Sequence, residues 1–137
     1  MGGLWDPHTT SNTQRLEMVQ RGAARWVVNN NKYRHGPNTT SVTDILHQLN
    51  WITLAERRKQ ARLILLYKIA HNLVAVNIEQ HLVKLSQTRV TRAANPYQYA
   101  VPDSRVDYHR FAYFPRTARD WNSLPPHIVA APTLDAF

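Results

Sequence analysis

Four cations, Arg57, Arg58, Lys59 and Arg62, crowd into about two turns of a helical pattern. A guanidinium forks onto phosphate oxygens and an ammonium holds them as a point charge, so the chemistry on offer there is anion binding. Their placement carries a cost. Thr53 and Glu56 have the T-x-x-E spacing of a helix start. The four therefore follow the positive end of a helix dipole, which disfavours an exposed cation by about 0.3–1 kcal/mol. Either water solvates them or an anion meets them. Arg21 with Arg25 and Arg116 with Arg119, four and three residues apart, are smaller groups of the same kind. Arg105, Arg110, Arg116 and Arg119 also lie among Tyr108, Phe111, Tyr113 and Phe114, and aromatic faces can hold unpaired bases. A plainer reading stands beside this one. Trp26, Trp51, Tyr67, Phe114 and Trp121 would be core fillers, and some arginines would pair with Glu17, Glu56 or Asp120.

Catalysis has less to stand on. The histidines (8, 35, 47, 71, 81, 109 and 127) never recur at three or four residues and have no carboxylate cluster beside them. A zinc site needs three or four ligands converging at about 2 Å. The carboxylates are dispersed, without the close pair that two-metal nucleases and polymerases place around ions ~4 Å apart. There is no cysteine, which removes thiolate ligands and thiol nucleophiles together. No glycine-rich phosphate loop or nucleophile elbow occurs. The expectation is a chain with no catalytic centre, no cofactor and no metal. Seventeen Lys and Arg against nine Asp and Glu give a formal charge of +8. Such an excess favours a polyanionic partner, RNA or single-stranded DNA, over a membrane or a small-molecule substrate. No basic-then-apolar leader opens the chain, and the run Leu63–Tyr67 is far short of the ~20 residues that span a bilayer. An intracellular, unsecreted protein of nucleus or cytoplasm is expected.

The elements that must position these residues read as mainly α. We expect a small irregular helical bundle around one long helix at about 53–74, with one or two short β-strand pairs between about 88 and 114. The 137 residues suit a single domain or a fragment of one. Residues 1–10 form a lead-in. Ser11 and Gln14 have capping-box spacing, and Leu16, Val19, Ala23, Trp26 and Val27 make the apolar stripe of a helix from about 13 to 28. Glu17, Arg21 and Arg25 lie four apart on another face. Residues 29–38 are polar and contain Gly36-Pro37, a loop signal. Ser41 and Asp44 open a short helix that Asn50 ends. The long helix follows, apolar nearly all round in its second half and so expected to be covered on most sides. Ile78, Leu82 and Leu85 close the helical part, 11–85, with a further turn or two. Alternation in 88–92, 97–101 and 108–113 suggests strands. Pro115 suits a helix start, and 115–137 reads as a helix to Asn122, stopped by Pro125-Pro126, with a tail whose last residues look like a helix cut short.

Five strings, Trp5-Asp6-Pro7, LEMVQRGAARWV (16–27), SVTDILHQLNW (41–51), ERRKQARLILLYKI (56–69) and FPRTARDWNSLP (114–125), occur in order across nearly the whole chain. Together they resemble the C-terminal region of polyproteins of jockey and chicken-repeat type non-LTR retrotransposons, downstream of the reverse transcriptase domain. Ala112-Tyr113 departs from the serine-phenylalanine expected of relatives and leaves the helix start intact. The resemblance implies an accessory segment lying past the polymerase thumb, within reach of template RNA or target DNA. Endonuclease and polymerase activities belong to other domains of such polyproteins, and no residue here is present to receive them. In the parent protein Arg57, Arg58, Lys59 and Arg62 would hold phosphates, with Arg21, Arg25, Arg116 and Arg119 in support. The alternatives are a structural module docked on the reverse transcriptase thumb, or a relic of a decayed element. The methionine start and abrupt end at Phe137 suit a truncated reading frame.

Overall fold

Among the described residues (6–28, 41–85 and 96–137 of the computed structural model) the chain forms six α-helices and two 3-10 turns. The helices are α1 (Thr10–Val27), α2 (Val42–Gln48), α3 (Leu54–Ala70), α4 (Asp107–Arg110), α5 (Tyr113–Asn122) and α6 (Pro126–Val129). The 3-10 turns are Ile78–Gln80 and Leu134–Ala136. No helix among the described residues is long and apolar enough to cross a membrane. The chain divides into two compact units, 1–58 and 59–137.

Asparagines end both α2 and α3. Asn50 and Asn72 adopt φ of 53° and 54°, the left-handed conformation that asparagine tolerates better than most residues. In each case the paired bonds of a Schellman cap follow. Asn50 N–H donates to the His47 carbonyl at 3.0 Å and Trp51 N–H to Leu46 at 2.8 Å. Asn72 N–H donates to Ile69 at 3.1 Å and Leu73 N–H to Lys68 at 2.8 Å. The stop at Asn50 is as expected. That at Asn72 ends α3 at Ala70, short of 74, and leaves it 17 residues against 18 in α1. The chain thus has two long helices among the described residues rather than one.

In the first unit, α1 packs on α2, with Ala24 and Ile45 buried. Ser41 caps α2 by accepting the Thr43 amide at 3.3 Å. Thr9 caps α1 without a side-chain bond, and the Ser11–Gln14 box does not form because Ser11 is already inside the helix. The buried side of α1 is not the expected one. Gln20 and Ala24 face inward, while Met18, Val19 and Trp26 are 67%, 69% and 73% exposed. The start of α3 explains the rotation. A helix N-terminus leaves amides needing acceptors, and Glu17 of α1 supplies them. Its carboxylate accepts from Leu54 N at 3.2 Å and Ala55 N at 2.7 Å. Gln20 adds a bond from Nε2 to the Ile52 carbonyl at 2.7 Å. These three bonds hold the Glu17–Gln20 side of α1 against the start of α3.

The second unit closes an apolar core. Leu63, Leu66, Tyr67, Leu82, Tyr99, Ala118, Trp121 and Val129 pack together, with Phe114 and Phe137 against them. Ile64 and Leu65 stay partly exposed, so α3 is not covered nearly all round. Tyr67 donates its hydroxyl to the Ala131 carbonyl at 2.9 Å and Trp121 donates Nε1 to Tyr97 at 2.9 Å. Both of these buried aromatics therefore have their polar tips satisfied.

No strand occurs among the described residues, which corrects the expected strand pairs. Residues 88–92 lie outside the described residues. Tyr99 forms only an isolated antiparallel bridge with Lys84. The bridge is held by its neighbours, Leu85 N–H to the Gln98 carbonyl at 2.8 Å and Ala100 N–H to the Val83 carbonyl at 2.7 Å, and both of Tyr99's own backbone groups are taken by a side chain. The Asn122 amide accepts from Tyr99 N at 3.0 Å and donates to Tyr99 O at 2.8 Å, occupying the edge a second strand would use. Residues 107–110 are helical instead. Asp107 sits in the first turn, where a carboxylate suits the dipole, and Tyr113 likewise begins α5 ahead of Pro115.

Candidate nucleic-acid interface

The anion that the cations of α3 call for is, in part, the protein's own. Arg58, with its side chain 18% exposed, places Nε 3.5 Å from Asp6 Oδ1 and Nη2 3.8 Å from Glu17 Oε1. Glu17 thus neutralises the helix start and the guanidinium beside it together. Thr53 Oγ1 accepts the Glu56 amide at 3.2 Å, completing the cap with one half of the expected box. Arg62 is 11% exposed and donates Nη2 to Asp120 Oδ2 at 2.9 Å. The pairing of arginines with Glu17 and Asp120 is therefore present, and it engages two of the four foremost candidates. Arg57 is exposed and Lys59 half-buried, and neither has a carboxylate partner among the described residues.

In the second unit Arg119 is held by a neighbour, donating Nη1 to the Arg110 carbonyl at 2.9 Å. Arg116 is half-buried. Arg110 lies 5.8 Å from the Phe111 ring centre in a cation–π contact. The Tyr113 hydroxyl, which donates to the Arg62 carbonyl at 3.0 Å, is pushed up to about 12 by burial, with the Arg62 charge pulling the other way. Burial also raises Tyr99. Neither phenol is poised to exchange a proton near neutrality. His71 stacks on Tyr67 at 3.9 Å and His81 on Phe114 at 4.2 Å, so both rings serve packing. No three His, Asp or Glu side chains converge as a metal site among the described residues.

Arg21 and Arg25 have a different setting. With Met18, Gly22 and Val42 they line a hollow of about 230 Å³ between α1 and α2. No carboxylate among the described residues pairs with either. The expected Glu17–Arg21 spacing does not become an ion pair, because Glu17 serves the start of α3. Trp26 stands exposed on the same helix.

No family model, curated protein or solved structure matches this chain.

The geometry nonetheless separates seven of the eight candidate residues into two groups, the half-buried Arg116 being the eighth. Arg58 and Arg62 are built into the fold, and Arg119 is partly so. Arg21, Arg25, Arg57 and Lys59 have no carboxylate partner among the described residues. Trp26 was not legible as a surface residue, since its stripe with Val19 and Ala23 has regular helical spacing. The signal pointing the other way is Gly22, a residue with no side chain to pack, set between Met18 and Trp26.

Proposed function

We propose that this chain is a non-catalytic, nucleic-acid-binding accessory segment from the C-terminal region of a non-LTR retrotransposon reverse transcriptase polyprotein of the jockey or chicken-repeat type. The five strings in register support the family, and the +8 charge supports a polyanionic ligand. The observation that carries the reading is the hollow that Arg21 and Arg25 help to line, neither arginine having a carboxylate partner among the described residues. Guanidiniums there hold phosphate oxygens in two-pronged hydrogen bonds, with Arg57 of the same unit adding charge. Arg58 and Arg62 act one step back, fixing the start and middle of α3 through Glu17, Asp6 and Asp120. The partners are RNA or single-stranded DNA and the reverse transcriptase domain of the same polyprotein.

The test is the salt dependence of binding to a labelled RNA. Replacing both Arg21 and Arg25 with Ala leaves up to two phosphates without a cation, so the slope of log affinity against log salt flattens by about 0.7 for each phosphate no longer neutralised. Circular dichroism should show the helices unchanged, because neither side chain holds the fold. An unaltered affinity and slope rejects the reading. The rival, a module docked on the reverse transcriptase thumb, finds support in the exposed edge of α3 at Ile64 and Leu65. It predicts co-precipitation with that domain that survives nuclease treatment.

A further inference from the structure

We propose that Trp26 is a stacking platform for an unpaired base, so that α1 prefers single-stranded nucleic acid to a duplex. The inference rests on the binding reading above and specifies the ligand of the same site. Tryptophan carries roughly 150–250 Å² of mostly apolar surface, and here most of it faces solvent. Trp26 follows Gly22 by four residues. The indole therefore lies one turn from the floor of the hollow on the same side of the helix, where side chains start about 5–6 Å apart. Gly22 leaves that floor open, since a Cβ placed there would meet nothing within 4 Å. A phosphate held between Arg21 and Arg25 would bring its own base within reach of the indole face. The charge of the surface agrees. Glu17 is the only carboxylate on α1, and it is engaged by Leu54, Ala55 and Arg58, so no anion on this helix opposes the approach of a phosphate chain. Bases in a duplex are stacked on one another and offer no free face, whereas a single strand offers one at every nucleotide.

The experiment measures fluorescence anisotropy of two probes titrated with the full chain, a labelled oligouridylate of about 15 nucleotides and a duplex of the same length. Trp26→Ala should weaken oligouridylate binding by about tenfold or more, as expected for one lost stack, and leave duplex binding unchanged. Trp26→Phe should restore most of the single-strand preference. Thermal melting of Trp26→Ala should match the parent chain. Equal loss on both probes, no loss on either, a collapse of the fold or the dissociation of a dimer in Trp26→Ala would each overturn the proposal. The two levels separate cleanly. If Arg21→Ala/Arg25→Ala binds both probes as before, the binding reading fails; if that variant is weak and Trp26→Ala is not, only the stacking inference fails.

Discussion

Trp26 and Trp121 belong to the same residue type and to two units organised on opposite principles. Trp121 is 3% exposed, packed against Tyr99 and Phe137, with its indole N–H bonded to Tyr97. Trp26 faces solvent beside two arginines. The second unit is closed by apolar burial around Tyr67 and Trp121. In the first, the described core is thin, and α1 is oriented by directional bonds from Glu17 and Gln20 to the backbone at the start of α3. A few polar bonds to an otherwise unsatisfied helix end can determine which face of a neighbouring helix turns inward, and here Met18, Val19, Trp26 and Val27 are left exposed.

The largest effect that would break this comparison is a large-to-small substitution in each unit. Trp121→Ala should cost about 3–5 kcal/mol in urea denaturation, the range for emptying a packed aromatic site. Trp26→Ala should stay within about 0.5 kcal/mol of the parent, as for a surface site. Similar losses for both would mean that Trp26 is a core residue and the contrast is wrong. The next effect tests the polar side of the comparison. Glu17→Ala strands the amides of Leu54 and Ala55 and leaves Arg58 with Asp6, and should cost about 2–4 kcal/mol. Hydrogen exchange at Leu54 and Ala55 should accelerate before exchange in the core of the second unit. Uniform acceleration through both units would dissolve the distinction between them.

Much of the framework was legible in the sequence. Ser41, Asn50 and Thr53 act locally, and each caps or ends a helix about where its type implies. Of the five aromatics expected as core fillers, Tyr67, Phe114 and Trp121 sit in the core of the second unit, whereas Trp26 and Trp51 are exposed. The facing of α1 was not legible, because Leu16, Val19, Ala23 and Trp26 make as regular a stripe as Thr13, Gln20 and Ala24. The choice between the two depends on Glu17 reaching Leu54, a contact 37 residues away that no local period records. The same holds for the strands. Residues 97–101 alternate, but Asn122 from α5 occupies the pairing edge. At the candidate site, the presence of arginines could be read from the sequence. Their availability depended on Asp6, Glu17 and Asp120, whose assignment to Arg58 and Arg62 is set by the fold and not by any spacing along the chain.

The smallest predicted effect is a pH dependence confined to one unit. The described residues of the first unit contain no tyrosine, whereas the second holds Tyr99 and Tyr113 with raised phenol pKa values. A phenol is neutral when protonated, and burial favours that neutral form. Between the ordinary value of 10.0 and about 12, the native chain therefore keeps a proton on Tyr113 that the unfolded chain releases. Stability from this group is complete below pH ~10 and is lost as pH rises toward 12. Tyr113→Phe forfeits the hydroxyl bond to the Arg62 carbonyl, about 1 kcal/mol at neutral pH. It should also flatten the alkaline fall, bringing the parent and variant curves together as pH rises. Denaturation midpoints measured at about pH 8, 10 and 11.5 would check this, with Trp26→Ala as a control that moves none of the three. If the curves of parent and Tyr113→Phe stay parallel to the highest pH, the phenol is not the titrating group, and the alkaline loss must arise elsewhere than at the Arg62–Tyr113 contact.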